Sequence, residues 1–259
     1  VRFRGKSVVV TGGASGIGEA ACRLFAAEGA SVVIADLDPA GEVLAKALRE
    51  RGQEATFVRT DVADAQDAEA LIAETVRRHG RLDVLHNNAG VLVTGDVTTL
   101  SEADWDRCID INLKSVFLVS KHAVPAMRQG GGGAIVNTAS VAGKAGGRGY
   151  SVYGASKAGI LLLTQCMALD FAADNIRVNA VCPGPTATRM VLGLTNAPDR
   201  ERGRWARELP AGRMGEPEDA AKVVAYLASD DAAFVTGAAW VVDGGRLLTG
   251  IGQSTVDRP

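Results

Sequence analysis

The stretch Ser7-Val8-Val9-Val10-Thr11-Gly12-Gly13-Ala14-Ser15-Gly16-Ile17-Gly18 decides the fold of this chain. It opens on a short β-branched run, the residue type that suits a strand, and the run stops at a glycine cluster. From Gly16 to Glu28 the pattern is helical, with Gly29 placed as a left-handed cap. Gly12, Gly16 and Gly18 therefore form G-x-x-x-G-x-G between a strand and a helix. Glycines in that position let the chain turn tightly. They also let a pyrophosphate approach the backbone at the positive end of the helix. A glycine-rich turn alone is a weak signal; its place between strand and helix makes it a specific one.

Outward from this turn, strand-like and helix-like segments alternate. Further strands are expected at Ser31 to Ala35, Ala55 to Val58, Leu82 to Leu85, Ala134 to Thr138, Ile176 to Val181 and Ala238 to Val242. Helices are expected from Pro39, over 64–78, over 101–128 behind the cap Ser101, over 151–173 and over 217–228. This order predicts an α/β fold: a doubly wound Rossmann sheet of about seven parallel strands with helices on both faces. No linker, repeat or charge block divides it, so residues 1–259 read as one domain, with 185–213 as a substrate lid. In such sheets ligands bind at the carboxyl ends of the strands.

Composition agrees with buried parallel strands: 47% of residues are hydrophobic and only 5% aromatic, so Ala, Val, Leu and Ile must build the core. A formal charge of -2 supplies no field for nucleic acid or an acidic membrane. Apolar runs such as Gly159 to Leu163 are too short to span a bilayer, and Val1 to Lys6 lead into a strand without a signal core. A cytoplasmic protein is expected. Cys22, Cys108, Cys166 and Cys182 lack metal spacing and read as small buried apolar residues, so no metal is expected. His79, His86 and His122 have no partner spacing and read as structural or solvent-facing.

Asp36 ends the second strand, eighteen residues after Gly18. An acidic side chain there can bind both ribose hydroxyls of NAD and would repel the 2′-phosphate of NADP. Leu37 and Ser15 are uncharged where a phosphate would want Arg or Lys. The competing role for Asp36 is a cap on the helix at Pro39. Asp61 and Val62 close the third strand and would sit over the adenine. Tyr153 and Lys157 lie four apart on one helix face. An ammonium beside a phenol favours the phenolate. Ser140 follows the fifth strand directly and so lies at the same end of the sheet.

With these residues in place, the chain resembles the short-chain dehydrogenase/reductase family along almost its whole length. The motifs run in order: Thr11 to Gly18, Asp61, Asn87-Asn88-Ala89-Gly90, Asn112, Ser140, Tyr153, Lys157, Pro183-Gly184 and Asp243-Gly244-Gly245. The resemblance implies that Tyr153 is the general acid/base and that Ser140 orients the substrate oxygen. Lys157 would bind the nicotinamide ribose and depress the tyrosine pKa, and Asn112 would hold a water linking Lys157 to solvent. For the cofactor it implies Gly12, Ser15, Gly16, Ile17 and Gly18 at the phosphates. Asn88, Ala89 and Gly90 would line the adenosine ribose. Pro183 and Gly184 would precede Thr186 and Thr188, which hold the carboxamide. Asn87 reads as structural, and Ser156 receives no chemistry.

Substrate choice is expected to come from Val91 to Asp96, from Val141 to Tyr150 and from 185–213. Gly143, Gly146, Gly147 and Gly149 in the second stretch would leave room for it. The third carries Arg189, Arg200, Arg202, Arg204, Arg207 and Arg213, which could attract an anion but read better as a solvated helix with Glu201–Arg204 and Arg204–Glu208 pairs. The expected activity is an NAD-dependent oxidoreductase, NADP being less favoured, that interconverts a secondary alcohol and a ketone. A 3-oxoacyl carrier-protein reductase ranks second, because its docking positions fall on Gly131 and Asp174, neither of them basic. A non-catalytic NAD-binding regulatory protein ranks third. A homotetramer is implied by the resemblance.

Overall fold

The computed structural model describes residues 1–193 and 197–249. Of the expected domain 1–259, residues 250–259 lie outside this range, as do 194–196 of the expected lid. Seven strands form one all-parallel sheet in the order β3-β2-β1-β4-β5-β6-β7. They are β1 (Ser7–Thr11), β2 (Ser31–Asp36), β3 (Ala55–Arg59), β4 (Val84–Asn87), β5 (Gly133–Thr138), β6 (Ile176–Pro183) and β7 (Ala239–Val242). The order reverses between β1 and β4, and that switch point fixes where a ligand can enter.

Alternation of side chains along the strands divides the core in two. Val8, Val10, Ile34, Val84 and Val136 face one way. They pack on α1 (Gly16–Ala27), α2 (Ala40–Arg49) and the helix Pro217–Ala228 through Phe25, Leu48 and Val224. Val9, Val33, Leu85 and Ile135 face the other way. Their partners are α3 (Ala65–His79), α5 (Ser115–Gln129) and α6 (Ser151–Asp170), through Leu71, Met127 and Met167. Caps set several helix starts: Asp64 accepts the Gln66 and Asp67 amides, and Ser101 accepts the Asp104 amide at 3.1 Å.

Boundaries depart from expectation where side chains find tertiary partners. β4 begins at Val84 rather than Leu82. Asp83 turns inward there, pairs with Arg81 and accepts the Ser7 amide at 2.8 Å. The strand then runs on through polar His86 and Asn87, because both find buried hydrogen bonds. The helix expected over 101–128 is broken. α4 (Glu102–Ile109) passes through a π turn, Asp110–Lys114, into α5. α6 stops at Asp170, ahead of a short 3-10 turn. Its twenty residues are long and apolar enough to cross a membrane, yet it lies against the sheet and carries Lys157 into the interior. Cys22, Cys108 and Cys182 are buried, whereas Cys166 is exposed on α6 and so corrects the expectation of burial.

Candidate active site

A cleft of about 330 Å³ opens across the carboxyl ends of β1 through β6. Its floor is the glycine turn. Gly12 and Gly16 have positive φ, 62° and 55°, a region side chains rarely adopt. A Cβ on Gly12 would stand 2.8 Å from Ala89 Cα, so only glycine lets the two loops touch. Thr11 fastens them: its hydroxyl oxygen accepts the amides of Asn88 and Ala89 at 3.0 and 3.1 Å. The Asn88 amide nitrogen returns two bonds of 3.1 Å to the Thr11 and Gly12 carbonyls. The result is a backbone cradle at the start of α1, suited to a pyrophosphate.

Of the expected cofactor positions, Gly12, Ser15, Gly16, Ile17, Asp36, Asp61, Val62, Asn88, Ala89, Gly90, Pro183, Gly184, Thr186 and Thr188 all line this cleft. Gly18 does not. A Cβ there would fall 2.1 Å from the Gly12 carbonyl, so its role is to let α1 pack beneath the turn. Asp36 is half-buried at one end of the cleft. Its Oδ2 accepts the Ala14 amide at 3.0 Å and its Oδ1 the Asp38 amide at 2.9 Å. It is not a helix cap, because Asp38 takes the Ala40 amide at the start of α2. Each Asp36 oxygen keeps a lone pair for a further donor. Thr186 lines the cleft while its hydroxyl donates to the Gly184 carbonyl of its own loop. Thr188 reaches Gly16 across the cleft.

At the other end Ser140, Tyr153 and Lys157 meet. Lys157 is 3% exposed, and its Nζ donates to the Thr138 carbonyl at 2.8 Å, 5.8 Å from the centre of the Tyr153 ring. A Cβ on Gly90 would stand 3.4 Å from Nζ, so the glycine keeps the ammonium's approach to the cleft open. Burial dominates the electrostatics. It pushes Tyr153 up to about 12, opposed by the Ser140 hydroxyl, and pushes Lys157 down to about 8. The shift is therefore opposite to the expected depression by Lys157: in the protein alone desolvation outweighs the Ser140 hydroxyl. A phenol, the proton-donating form, is the resting state at neutral pH.

Asn112 stands apart from the cleft. It is fully buried in the π turn between α4 and α5. Its Oδ1 accepts the Val91 amide at 2.7 Å, and its Nδ2 donates to the Val91 carbonyl and Ser156 Oγ at 3.0 and 3.1 Å. The side chain expected to hold a water is thus committed to protein partners. It ties the 88–93 loop to the helix carrying Tyr153. Ser156, to which no chemistry was assigned, completes this tie and donates to the Tyr153 carbonyl at 2.7 Å. Asn87 points away, to Ser120 and Asn137.

Two further readings change. Gly143 does not leave room for substrate: a Cβ there would lie 2.6 Å from the Lys157 backbone, so it serves close packing under α6. Gly146 does face open space. The arginine-rich stretch is largely neutralised. Arg202 pairs with Glu216, Arg204 with Glu201 and Glu208, Arg213 with Asp219 and Arg189 with Asp38. Sequence reasoning missed Thr138, which lines the cleft and holds Lys157, and Ile111, which joins Met190 and Val191 of the expected 185–213 segment in an apolar wall. Thr138 holds Lys157 through its backbone carbonyl, so only its place at the end of β5 could have signalled it.

Known proteins share this architecture. The family model for enoyl-(acyl carrier protein) reductase matches residues 12–246. Cis-4-hydroxycyclohexanecarboxylate dehydrogenase of Sinomonas cyclohexanicum is 45% identical, over 94% of this chain and 97% of that protein. A 3-oxoacyl-[acyl-carrier-protein] reductase of Thermotoga maritima is 40% identical, over 96% and 100%. The solved structure of levodione reductase superposes with a TM-score of 0.90 at 35% identity, covering 95% of this chain and 98% of that one. The chain belongs to the short-chain dehydrogenase/reductase family, and it is an oxidoreductase of that family, whose members use nicotinamide cofactors.

Proposed function

We propose that the chain is an NAD-dependent dehydrogenase that interconverts a secondary alcohol and a ketone. One observation carries the reading: a single cleft has the Asp36 carboxylate at one end and Ser140, Tyr153 and Lys157 at the other. A bound nicotinamide dinucleotide supplies the hydride acceptor. Gly12, Ser15, Gly16 and Ile17 hold its phosphates, and Asp36 takes the adenosine ribose hydroxyls. Asp61 and Val62 border the adenine, and Asn88 to Gly90 the ribose. Pro183, Gly184, Thr186 and Thr188 support the nicotinamide end. Ser140 orients the substrate oxygen, and Tyr153 takes its proton in oxidation or returns it in reduction. Lys157, buried and facing Gly90, holds the nicotinamide ribose. Asn112 acts from behind, fixing the loop and helix that present these groups.

Val91, Met190 and Val191 give the cleft an apolar wall, which favours a neutral, hydrocarbon-bearing alcohol, with 185–213 as its lid. Related dehydrogenases named for cyclohexanol and for a hydroxycyclohexanecarboxylate support testing cyclic alcohols first, with and without a carboxylate. The carrier-protein reductase remains second: Gly131 offers no cation, and Asp174 is paired with Arg128 at 2.7 Å. Formation of NADH, followed by absorbance across linear and cyclic secondary alcohols, should peak on a cyclic one. Activity confined to 3-oxoacyl thioesters with NADPH would overturn the proposal.

The assembly we propose is a homotetramer with two-fold symmetry. Phe117 on α5, Leu162 and Leu169 on α6, and Trp240 and Val241 on the edge strand β7 are large apolar side chains left exposed. Exposed apolar side chains on an open sheet edge and on the helices beside it favour cover by a second copy. Light scattering at micromolar concentration should give the mass of four chains; a monomer would refute the assembly.

A further inference from the structure

His86 is a polar residue in an apolar layer. On β4 it stands in register with Val10 of β1 and Val136 of β5, and its ring is fully buried. Its Nε2 lies 2.9 Å from Thr138 Oγ1. Its Nδ1 is buried and has no hydrogen-bond partner among the described residues. Neither the family match nor the catalytic roles above use this ring.

The proton positions follow from donor and acceptor arithmetic. Asn88 Nδ2 sits 3.1 Å from two carbonyl oxygens, those of Thr11 and Gly12, which can only accept. The amide nitrogen must therefore face the glycine turn, and Oδ1 must face Thr138. That oxygen also only accepts, so the Thr138 hydroxyl commits its single proton there, at 3.4 Å. Thr138 Oγ1 is then an acceptor toward His86, and Nε2 must carry the ring proton. Nδ1 is left as a bare lone pair, a less costly orphan in an apolar layer than an N–H. Burial agrees, pushing the imidazole down to about 3 and holding it neutral.

We infer that His86, as the Nε2–H tautomer, is a positioning residue for the cofactor cleft. Its proton orients Thr138, Thr138 orients Asn88, and Asn88 holds the Thr11–Gly12 turn on which the phosphates rest. Thr138 also presents its carbonyl to the Lys157 ammonium, so one residue under His86 supports both ends of the cleft. An apolar side chain at 86 would fill the layer equally well but leave the Thr138 hydroxyl free to rotate. The inference rests on reading the cleft as a dinucleotide site, and its test separates the two.

Two measurements decide it. In the wild-type protein, long-range ¹H–¹⁵N correlation should find His86 as the Nε2–H tautomer, a result independent of any ligand. NADH titration should show His86→Leu and Thr138→Val each weakening binding about fivefold to tenfold, the size of one oriented hydrogen bond. The double variant should be no weaker than either single one, because both cut the same chain. His86→Gln, which restores an N–H donor, should recover most of the affinity, and kcat for His86→Leu at saturating cofactor should stay within about threefold. Should His86→Leu fail to fold, Thr138→Val carries the binding arm. An Nδ1–H tautomer, or unchanged affinity in Thr138→Val, would overturn the inference. A wild-type protein that binds neither NADH nor NADPH would instead sink the cofactor reading, whatever tautomer His86 shows.

Discussion

Tyr153→Phe is expected to lower kcat by about a thousandfold while NADH affinity stays within about threefold of wild type. The ring keeps its place between Ser140 and Lys157, and only the oxygen that carries the proton is lost. The wild-type pH dependence should report the same group. Burial holds the Tyr153 phenol up at about 12 and the Lys157 ammonium down at about 8. At neutral pH both groups are therefore protonated. Ketone reduction needs the phenol and should be nearly flat from pH 6 to 7.5. Alcohol oxidation needs the phenolate, whose fraction grows about tenfold per pH unit below its pKa, so log kcat/KM should climb with a slope near one. Residual activity above a tenth of wild type in Tyr153→Phe would remove the tyrosine from the acid/base role.

What could be read without the structure was whatever local chemistry decides. The glycine turn, the strand–helix alternation and the four-residue spacing of Tyr153 and Lys157 depend on neighbours in the chain. They carried the parallel sheet, and they named most of the residues that line the cleft. What escaped depends on which backbone comes close to which. Gly18 and Gly143 look like any other motif glycines until the Gly12 carbonyl and the Lys157 backbone are seen against them. Asn112 was named, but nothing in its sequence neighbourhood says that its amide is taken by Val91 and Ser156. The break at Asp110–Lys114 was hidden for a similar reason: each residue there tolerates a helix, and the π turn is supported by tertiary bonds. The sign of the Tyr153 shift was missed because the ammonium is visible in the sequence and the depth of burial is not.

Cofactor choice should show the largest change that two substitutions can make. Asp36 holds its carboxylate in the cleft on the Ala14 and Asp38 amides, at 3.0 and 2.9 Å, so it cannot swing away from an incoming 2′-phosphate. Leu37 beside it is about half exposed and offers no charge. The nearby cation is Arg189, 3.7 Å from Asp38, but it is 83% exposed and already paired, so screening leaves it little to offer. A phosphate dianion beside a fixed carboxylate meets repulsion of several kcal/mol at a partly buried site, and the ribose hydrogen bonds are lost as well. Wild-type kcat/KM should therefore favour NAD over NADP by about a hundredfold or more. Asp36→Ala with Leu37→Arg removes the repulsion and supplies a guanidinium fork for phosphate, so the preference should weaken or reverse. Part of the NAD affinity should fall too, since the Ala14 amide loses its partner at the edge of the glycine turn. Equal use of NAD and NADP by the wild type would mean that the free lone pairs of Asp36 never meet the ribose and that its carboxylate serves only the two backbone amides. The carrier-protein reductase would then become the better reading of the site.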